Sequence, residues 1–224
     1  MEGVTIQSLL EIFPILAKGI KITVLVLVLS ALLSYTIAIF AGLCRVSRFW
    51  IVRFLTSIYV EVFRGTSLIV QLFWFYYALP ILFNIDLGSN LTAGVLAISL
   101  NYAAYMSEIV RGSILSVSPG QTEATVALNM TRGQRMRLVI FPQAFRMMLP
   151  EFGNYLIQML KATSLVSLIG MHDVLYYGER FSSSNISMTA TVYIMLLLFY
   201  FIIAIPLILL TRKMETISKK GVAT

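Results

Sequence analysis

The sequence predicts an all-α integral membrane protein with about five transmembrane helices. Of its 224 residues, 58% are hydrophobic and only 12% are charged, whereas a soluble domain carries about 25% charged residues. Several uncharged stretches also approach the roughly 20 residues that a spanning helix requires. Both observations indicate that most of the surface faces lipid. No soluble domain is evident, so residues 1–224 are predicted to form a single transmembrane domain.

Five apolar segments are the candidate spans: residues 22–43, 65–85, 91–107, 152–171 and 186–211. The first two contain no charged residue, and Lys161 alone interrupts the fourth. The third is shorter than the others. Each segment is predicted to be a helix, because a single segment can satisfy all its backbone hydrogen bonds in lipid only as a helix.

Basic residues are distributed unevenly between the loops that join these spans. Twelve Lys and Arg residues lie in one set of loops, against three in the opposite set, namely Lys18, Lys21 and Arg180. Because cytoplasmic loops are enriched in Lys and Arg, the first set is predicted to be cytoplasmic. The N-terminus is then outside and the C-terminus inside, which requires an odd number of spans. This asymmetry accounts for the net charge of +7 without a nucleic-acid partner.

The largest predicted cytoplasmic loop, at about residues 117–142, has a local structure of its own. Ser118 is a favourable helix N-cap, Pro119 suits the first helical position, and Gln121 can return a hydrogen bond to the cap. Helix-forming residues continue through Leu128. Asn129 follows where a left-handed residue would end the helix, and asparagine tolerates positive φ well.

A second capping pattern follows in the same loop. Thr131 and Gln134 have the spacing of a capping box, and Phe141-Pro142 is expected to interrupt the helix that they begin. The loop therefore predicts two short capped helices joined by a sharp turn. Such a rigid loop favours a contact with a partner, and an ordinary connector between helices is the alternative.

Three blocks of this loop resemble the EAA loop of ATP-binding cassette importer permeases: EAT at 123–125, ALN at 127–129 and IFP at 140–142. Thr125, Asn129 and Phe141 depart from the alanine, glycine and leucine of that pattern. Further blocks at 59–66, 71–73, 104–112, 142–144 and 160–167 are similar to the polar amino acid permease subfamily. Their order and spacing extend the resemblance over nearly the whole chain, and it implies a type I importer transmembrane domain.

The resemblance implies that the EAA loop binds a separate cytoplasmic ATPase and transmits its closure as alternating access. The residues implied at that contact are Glu123, Ala124, Leu128, Asn129 and Arg132. Arg135 and Arg137 would flank the contact, and anchoring of these arginines to the membrane surface could hold at the same time. The chain has no G-x-x-x-x-G-K-[ST] phosphate-binding loop, so ATP and Mg²⁺ are expected on the partner. The chain is expected to be a transporter subunit and not an enzyme, with no cofactor or metal.

A substrate path is implied near the fourth span. Its predicted residues are Gln71, Asn101, Lys161, Thr163 and Ser164. An ionisable residue inside a membrane usually faces a cavity or a partner, so Lys161 could instead pair with Glu61 or Glu151. Many relatives carry an acid where Ala162 and Tyr155 stand here, which disfavours a cationic solute. A polar amino acid or similar small zwitterion is therefore the predicted solute.

Two pairs of opposite charge have the i,i+3 helical spacing of an ion pair. They are Glu61 with Arg64 and Glu108 with Arg111. Both are predicted to be structural pairs, with a gate as the alternative role of Glu61 and Arg64. His172 is the only histidine, and no set of residues around it is spaced for a metal.

A chain of about five helices is too small to enclose a pathway comfortably, so a second identical or homologous permease is expected. An extracytoplasmic solute-binding protein is expected to bind the outer segments around Asp86 and residues 173–180. The predicted location is the bacterial cytoplasmic (inner) membrane, in contact with lipid.

Three other classes of membrane protein fit the sequence less well. An intramembrane hydrolase is disfavoured because no G-x-S-x-G motif is present. A channel or secondary transporter is disfavoured because five spans cannot form two equal inverted repeats. A structural scaffold gives no role to the capped loop. Uptake that stops when the ATPase subunit is removed would separate the importer from all three.

Overall fold

The computed structural model describes residues 6–85 and 87–219, and every regular element in these two ranges is a helix. The all-α prediction is confirmed. The nine helices named here are α1 (Ile6–Ala17), α2 (Ile20–Arg45), α3 (Trp50–Gly65), α4 (Leu68–Phe83), α5 (Asn90–Leu115), α6 (Pro119–Ala127), α7 (residues 132–162), α8 (Val174–Ser184) and α9 (Thr189–Lys219). Two short 3-10 helices, Thr163–Ile169 and Ile186–Met188, precede α8 and α9.

Three helical stretches of the described chain are long and apolar enough to cross a membrane: Leu10–Arg45, Asn90–Leu115 and Ile186–Ser218. A fourth span results if α3 and α4, which meet at a bend of 107°, count as one broken span. The predicted segment 65–85 is thus the second arm of a bent pair. The predicted segment 152–171 changes at Ala162 to a 3-10 helix that stops at Gly170, where φ is +76°. The count of five spans and the orientation stay predictions.

Helices α2 and α5 form the centre of the fold, and small residues allow their backbones to approach closely. The Ser34 hydroxyl donates to Ser99 O at 3.2 Å, and the Ser99 hydroxyl lies 3.4 Å from Ser30 O. A Cβ on Gly42 would overlap the side chain of Val110 on α5. Hydroxyl-to-backbone bonds and a glycine therefore let this pair pack closely.

A second packing unit joins the N-terminal helix to the predicted outer segment. Ile12 and Leu16 of α1, Val174 of α8 and Val192 of α9 belong to one buried cluster. At Gly19, between α1 and α2, a Cβ would overlap the backbone of Asp173. The start of α2 and the start of α8 are therefore in direct backbone contact.

Two prolines lie inside helices at equivalent positions after a π-helical segment. Pro80 follows the π segment Trp74–Ala78 of α4, and Pro142 follows the π segment Met136–Ile140 of α7. A proline lacks an N–H and its ring crowds the carbonyl four residues earlier, and the wider π turn accommodates both defects. The expectation that Phe141-Pro142 interrupts the second loop helix is therefore wrong, because α7 runs through it to Ala162.

Asp173, which caps α8, gives the fold a testable pH dependence. Its Oδ1 accepts from the Tyr176 N–H at 2.9 Å and its Oδ2 accepts from the Tyr200 hydroxyl at 3.2 Å. Burial nevertheless raises the pKa of Asp173 from 3.8 to about 6, and the hydrogen bonds offset only part of that increase. Since the folded protein binds this proton more tightly than the unfolded chain, its contribution to stability is present below about pH 4 and lost as the pH rises through 6.

Asp173→Asn removes the ionisable proton and is expected to flatten this dependence. Relative to the wild type, the free energy of unfolding of the variant should increase by on the order of 1 kcal/mol between pH 5 and 7.5. Detergent unfolding at several pH values measures the difference. Glu151→Gln, a change at an exposed carboxylate that does not act on Asp173, is the control. Parallel pH profiles for wild type and Asp173→Asn would contradict the raised pKa.

Candidate functional sites: an exposed loop and a polar cavity

The loop between α5 and α7 has the predicted capped ends, with one correction. Pro119 begins α6, but the Ser118 side chain makes no capping hydrogen bond. The Gln121 N–H donates to Ser118 O at 3.0 Å, and the Gln121 side chain accepts from Gln143 Nε2 at 3.3 Å instead of returning to the cap. That amide pair links α6 to α7, so the loop is fastened to the helix that follows it.

The turn after α6 closes as a Schellman motif. Asn129 has φ of +56°, which confirms the predicted left-handed residue. The Met130 N–H donates to Thr125 O at 3.0 Å and the Asn129 N–H to Val126 O at 2.9 Å, the two bonds that define this motif. The predicted capping box of Thr131 and Gln134 is also present. The turn is therefore fixed on both sides.

The residues predicted to contact an ATPase are exposed on the surface of this loop. Thr125 is buried and faces inward, whereas Leu128 is 74% exposed and the neighbouring Val126 is 56% exposed. The other predicted residues are also exposed: Glu123, Ala124, Asn129 and Arg132. Val126 was not predicted. Two exposed apolar residues within three positions of each other on a rigid turn favour a contact with a partner.

The break between α3 and α4 is closed by side-chain amides. Gln71 Nε2 donates to Phe63 O at 2.9 Å and to Thr66 Oγ1 at 2.7 Å. Asn101, which is 5% exposed, donates from Nδ2 to Phe63 O at 3.0 Å and to Gln71 Oε1 at 3.1 Å. The carbonyls that α3 leaves unpaired at its end need such donors inside a membrane. The structure therefore brings these two predicted path residues together.

A polar cavity of about 400 Å³ lies beside this break. It is lined by Thr66, Ser67, Leu68, Asn101, Tyr102, Tyr105, Tyr155 and Gln158. The prediction included only Asn101 of these as a path residue. The i,i+3 spacing of Tyr102 with Tyr105 and of Tyr155 with Gln158 places each pair on one helix face, a signal that could have found them.

The structure places the other predicted path residues away from this cavity. Lys161 lines an apolar groove between α7 and α9, next to Leu197 and Tyr200. In the described chain Lys161 makes no ion pair, with Glu61 or Glu151 or any other acid. The Thr163 hydroxyl donates to Leu160 O and the Ser164 hydroxyl to Lys161 O, both at 2.7 Å. These hydroxyls hydrogen-bond to backbone carbonyls at the point where α7 changes to a 3-10 helix.

The predicted ion pair of Glu61 and Arg64 is wrong. Glu108 instead takes part in every ion pair that the described residues contain. Its Oε1 contacts Arg45 and lies 3.6 Å from Arg64, and its Oε2 accepts from Arg111 at 2.9 Å. The Glu108–Arg111 prediction is confirmed. Because Arg45 is at the end of α2 and Arg64 at the end of α3, one carboxylate ties three helices together.

The Glu108 cluster borders the polar cavity through Tyr105. The Tyr105 hydroxyl donates to Arg64 O at 3.1 Å, and the Arg64 guanidinium carbon lies 5.4 Å from the centre of its ring. Among the described residues, no group of three or more His, Cys, Asp or Glu side chains could hold a metal ion.

An apolar helical bundle with a polar cavity and a rigid exposed loop fits a multi-pass membrane transporter subunit. The chain belongs to the family of binding-protein-dependent transport system inner membrane components, whose family model matches residues 34–217. It is therefore a permease subunit of an ABC importer and not an enzyme. ATP hydrolysis belongs to a separate subunit, and the family description implies a binding protein as a further partner.

Individual relatives match the sequence of this chain over most of their length. The chain is 43% identical to a probable amino-acid ABC transporter permease of Sinorhizobium fredii, covering 90% of this chain and 86% of the relative. It is 36% identical to the glutamine transport system permease of Escherichia coli, covering 90% and 92%.

Solved structures show the same fold. An amino acid ABC transporter crystallised with histidines matches with a TM-score of 0.86 at 33% identity, covering 95% of this chain and 98% of that one. The MetNI methionine transporter, at 19% identity and a TM-score of 0.69, supports the fold alone.

Proposed function

We propose that this permease moves a polar amino acid, or a similar small zwitterion, inward by alternating access. Two kinds of observation support the solute class. The relatives at 36% and 43% identity are named for glutamine and for amino acids. The cavity beside the α3–α4 break is lined by amide and hydroxyl groups, and its volume of about 400 Å³ suits a small solute.

The coupling surface in this proposal is the loop at about residues 117–142, within a single permease domain of residues 1–224. The main support for this coupling role is that α7 is one continuous helix. The same helix begins at Arg132, directly after the exposed turn, and carries Tyr155 and Gln158 into the cavity. Movement of the loop by a bound ATPase would therefore be transmitted to the cavity wall along one helix.

The π segment Met136–Ile140 lies between the loop and the membrane part of α7. Such segments are frequent at functional positions in helices. A local change of pitch there would rotate the residues that follow and change which side of the cavity is open. This arrangement supports two conformations whose balance depends on the nucleotide state of the partner.

The partners in the proposal are cytoplasmic ATP-binding subunits that hold ATP and Mg²⁺, a second identical or homologous permease, and an extracytoplasmic solute-binding protein, in the bacterial inner membrane. Asp86, one predicted contact of the binding protein, lies outside the described residues. In the segment 173–180, Asp173 is buried and caps α8, whereas Glu179 and Arg180 are exposed. The exposed pair is the better candidate for docking.

The experiment that tests the proposal reconstitutes the permease with its ATPase and binding protein in lipid vesicles and measures ATP hydrolysis and amino acid uptake. Glu123→Arg should lower ligand-stimulated hydrolysis by roughly tenfold or more, because a reversed charge at a desolvated contact is strongly unfavourable. Glu123→Gln is the matched control and should have the smaller effect. Normal stimulation and uptake with Glu123→Arg would show that the loop does not couple as proposed, and wild-type uptake that does not need ATP would overturn the importer mechanism.

A further inference from the structure

The polar groups that line the cavity fall into two sets when their hydrogen bonds are traced. The first set is already used by the protein: the Tyr102 hydroxyl donates to Gln158 O at 3.2 Å, the Tyr105 hydroxyl donates to Arg64 O, and Asn101 Nδ2 donates to Phe63 O. These bonds hold the helices around the break. Removing one of them would loosen the cavity wall.

The second set has no hydrogen-bond partner anywhere in the described part of the chain. It comprises the Tyr155 hydroxyl and both ends of the Gln158 amide, together with the Ser67 hydroxyl and Asn101 Oδ1. Tyr155 and Gln158 are three residues apart on α7 and line the same cavity. Tyr155 is half-buried and Gln158 is exposed, and a hydroxyl and an amide without protein partners beside a polar cavity are available to a ligand.

The cavity lining that the structure describes offers no acidic partner to a solute. The described lining contains no carboxylate, and Glu151, one turn before Tyr155 on α7, is exposed and does not line it. The adjacent charged side chain is Arg64, which stacks on Tyr105 and shares Glu108 with two other arginines. A cationic side chain in the cavity would therefore find no carboxylate among the described lining residues, and the nearby Glu108 is already paired with three arginines.

We infer that Tyr155 and Gln158 contact the solute and determine specificity, and that the cavity accepts amino acids with neutral polar side chains and excludes those with cationic side chains. An amide can donate and accept at once, which matches amide and hydroxyl side chains. The ring of Tyr155 lies beside those of Tyr102 and Tyr105. Tyr155 offers the solute an aromatic face for stacking and a hydroxyl for hydrogen bonding. This inference rests on the proposed function, since it assigns the solute site of that transporter.

The test measures amino acid binding to the detergent-solubilised permease–ATPase complex without the binding protein, which would otherwise select the solute. Glutamine, asparagine, serine, glutamate, lysine and arginine are titrated calorimetrically. The neutral polar amino acids should bind more tightly than lysine and arginine by about tenfold or more, since a cationic side chain would lose a hydrogen-bonded contact and would also carry an unpaired charge. Tighter binding of either charged class would overturn the inference.

Three variants separate contact with the solute from support of the wall. Gln158→Ala should weaken glutamine binding by about tenfold. Gln158→Glu keeps the shape but supplies a carboxylate, so affinity for lysine and arginine should rise by about tenfold. Tyr59→Phe, which removes a hydroxyl that donates to Leu100 O at 2.8 Å and does not line the cavity, should leave the dissociation constant within about twofold while lowering thermal stability.

Uptake by the complete transporter distinguishes failure of this inference from failure of the proposed function. If wild-type vesicles show ATP-driven uptake but the complex binds every class equally and both Gln158 variants bind like the wild type, the assignment of the site is wrong and the importer remains. If wild-type vesicles show no ATP-driven uptake of any amino acid, the proposed function itself is wrong.

Discussion

Glu108→Ala is expected to lower the free energy of unfolding by about 3 kcal/mol or more, because removing one partner of a mostly buried ion pair leaves its counterpart uncompensated. The Glu108 side chain is 19% exposed and that of Arg45 is 12% exposed. The variant would leave Arg45, Arg64 and Arg111 close together without a carboxylate between them. Unfolding by sodium dodecyl sulfate in mixed micelles, followed by tryptophan fluorescence, measures the change.

Glu61→Ala is the matched control for this experiment. Glu61 is exposed, and the described residues give it no ion pair, so its removal should change stability by less than about 0.5 kcal/mol. Arg64→Ala should have an intermediate effect, since its contact with Glu108 is the longest of the three at 3.6 Å. Equal losses from Glu61→Ala and Glu108→Ala would contradict the three-arginine cluster and restore the pairing of Glu61 with Arg64.

Gly42→Leu is expected to destabilise the protein by about 3 kcal/mol, the upper range for overpacking a close contact. Even a Cβ at this position would overlap Val110 and lie 2.9 Å from Ser107 O. The backbone oxygen cannot rotate away as a side chain could. Helices α2 and α5 would have to separate along their interface, where the Ser34 hydroxyl donates to Ser99 O. The detergent concentration at the midpoint of unfolding should therefore fall strongly.

Gly112→Ala is the corresponding control on α5. A Cβ at Gly112 would meet no atom within 4 Å, and alanine gains about 0.5–1 kcal/mol over glycine inside a helix. The control should therefore be neutral or stabilising in the same assay. A Gly42→Leu protein as stable as the wild type would show that α2 and α5 are not packed as closely as the structure indicates.

Local features were predicted most successfully from the sequence. The left-handed Asn129, the capping box of Thr131 with Gln134 and the Glu108–Arg111 pair each depend on residues at most three positions apart. Their geometry is set by φ/ψ sterics and by the pitch of a helix. The all-α class was also predictable, because long apolar segments can satisfy their backbone in lipid only as helices.

The failures concern competition between local and distant partners. Ser118 occupies the predicted cap position, yet Gln121 bonds to Gln143 on another helix. Arg64 prefers Glu108, 44 positions away in sequence, to Glu61 one turn away. Pro142 does not end its helix, because a π segment before it removes the clash that the sequence predicts.

The sequence by itself determined the membrane-embedded helical class, the capped loop and the family, since hydrophobicity, turn chemistry and motif order are written along the chain. Only the tertiary structure decided which polar residues share a cavity. Gln71 and Asn101 meet at the broken helix, Tyr155 and Gln158 face the same space, and Lys161 lies in a different groove. The physical reason is that a helix presents each side chain in one direction, and the neighbour in that direction depends on how the helices cross, which local sequence does not specify.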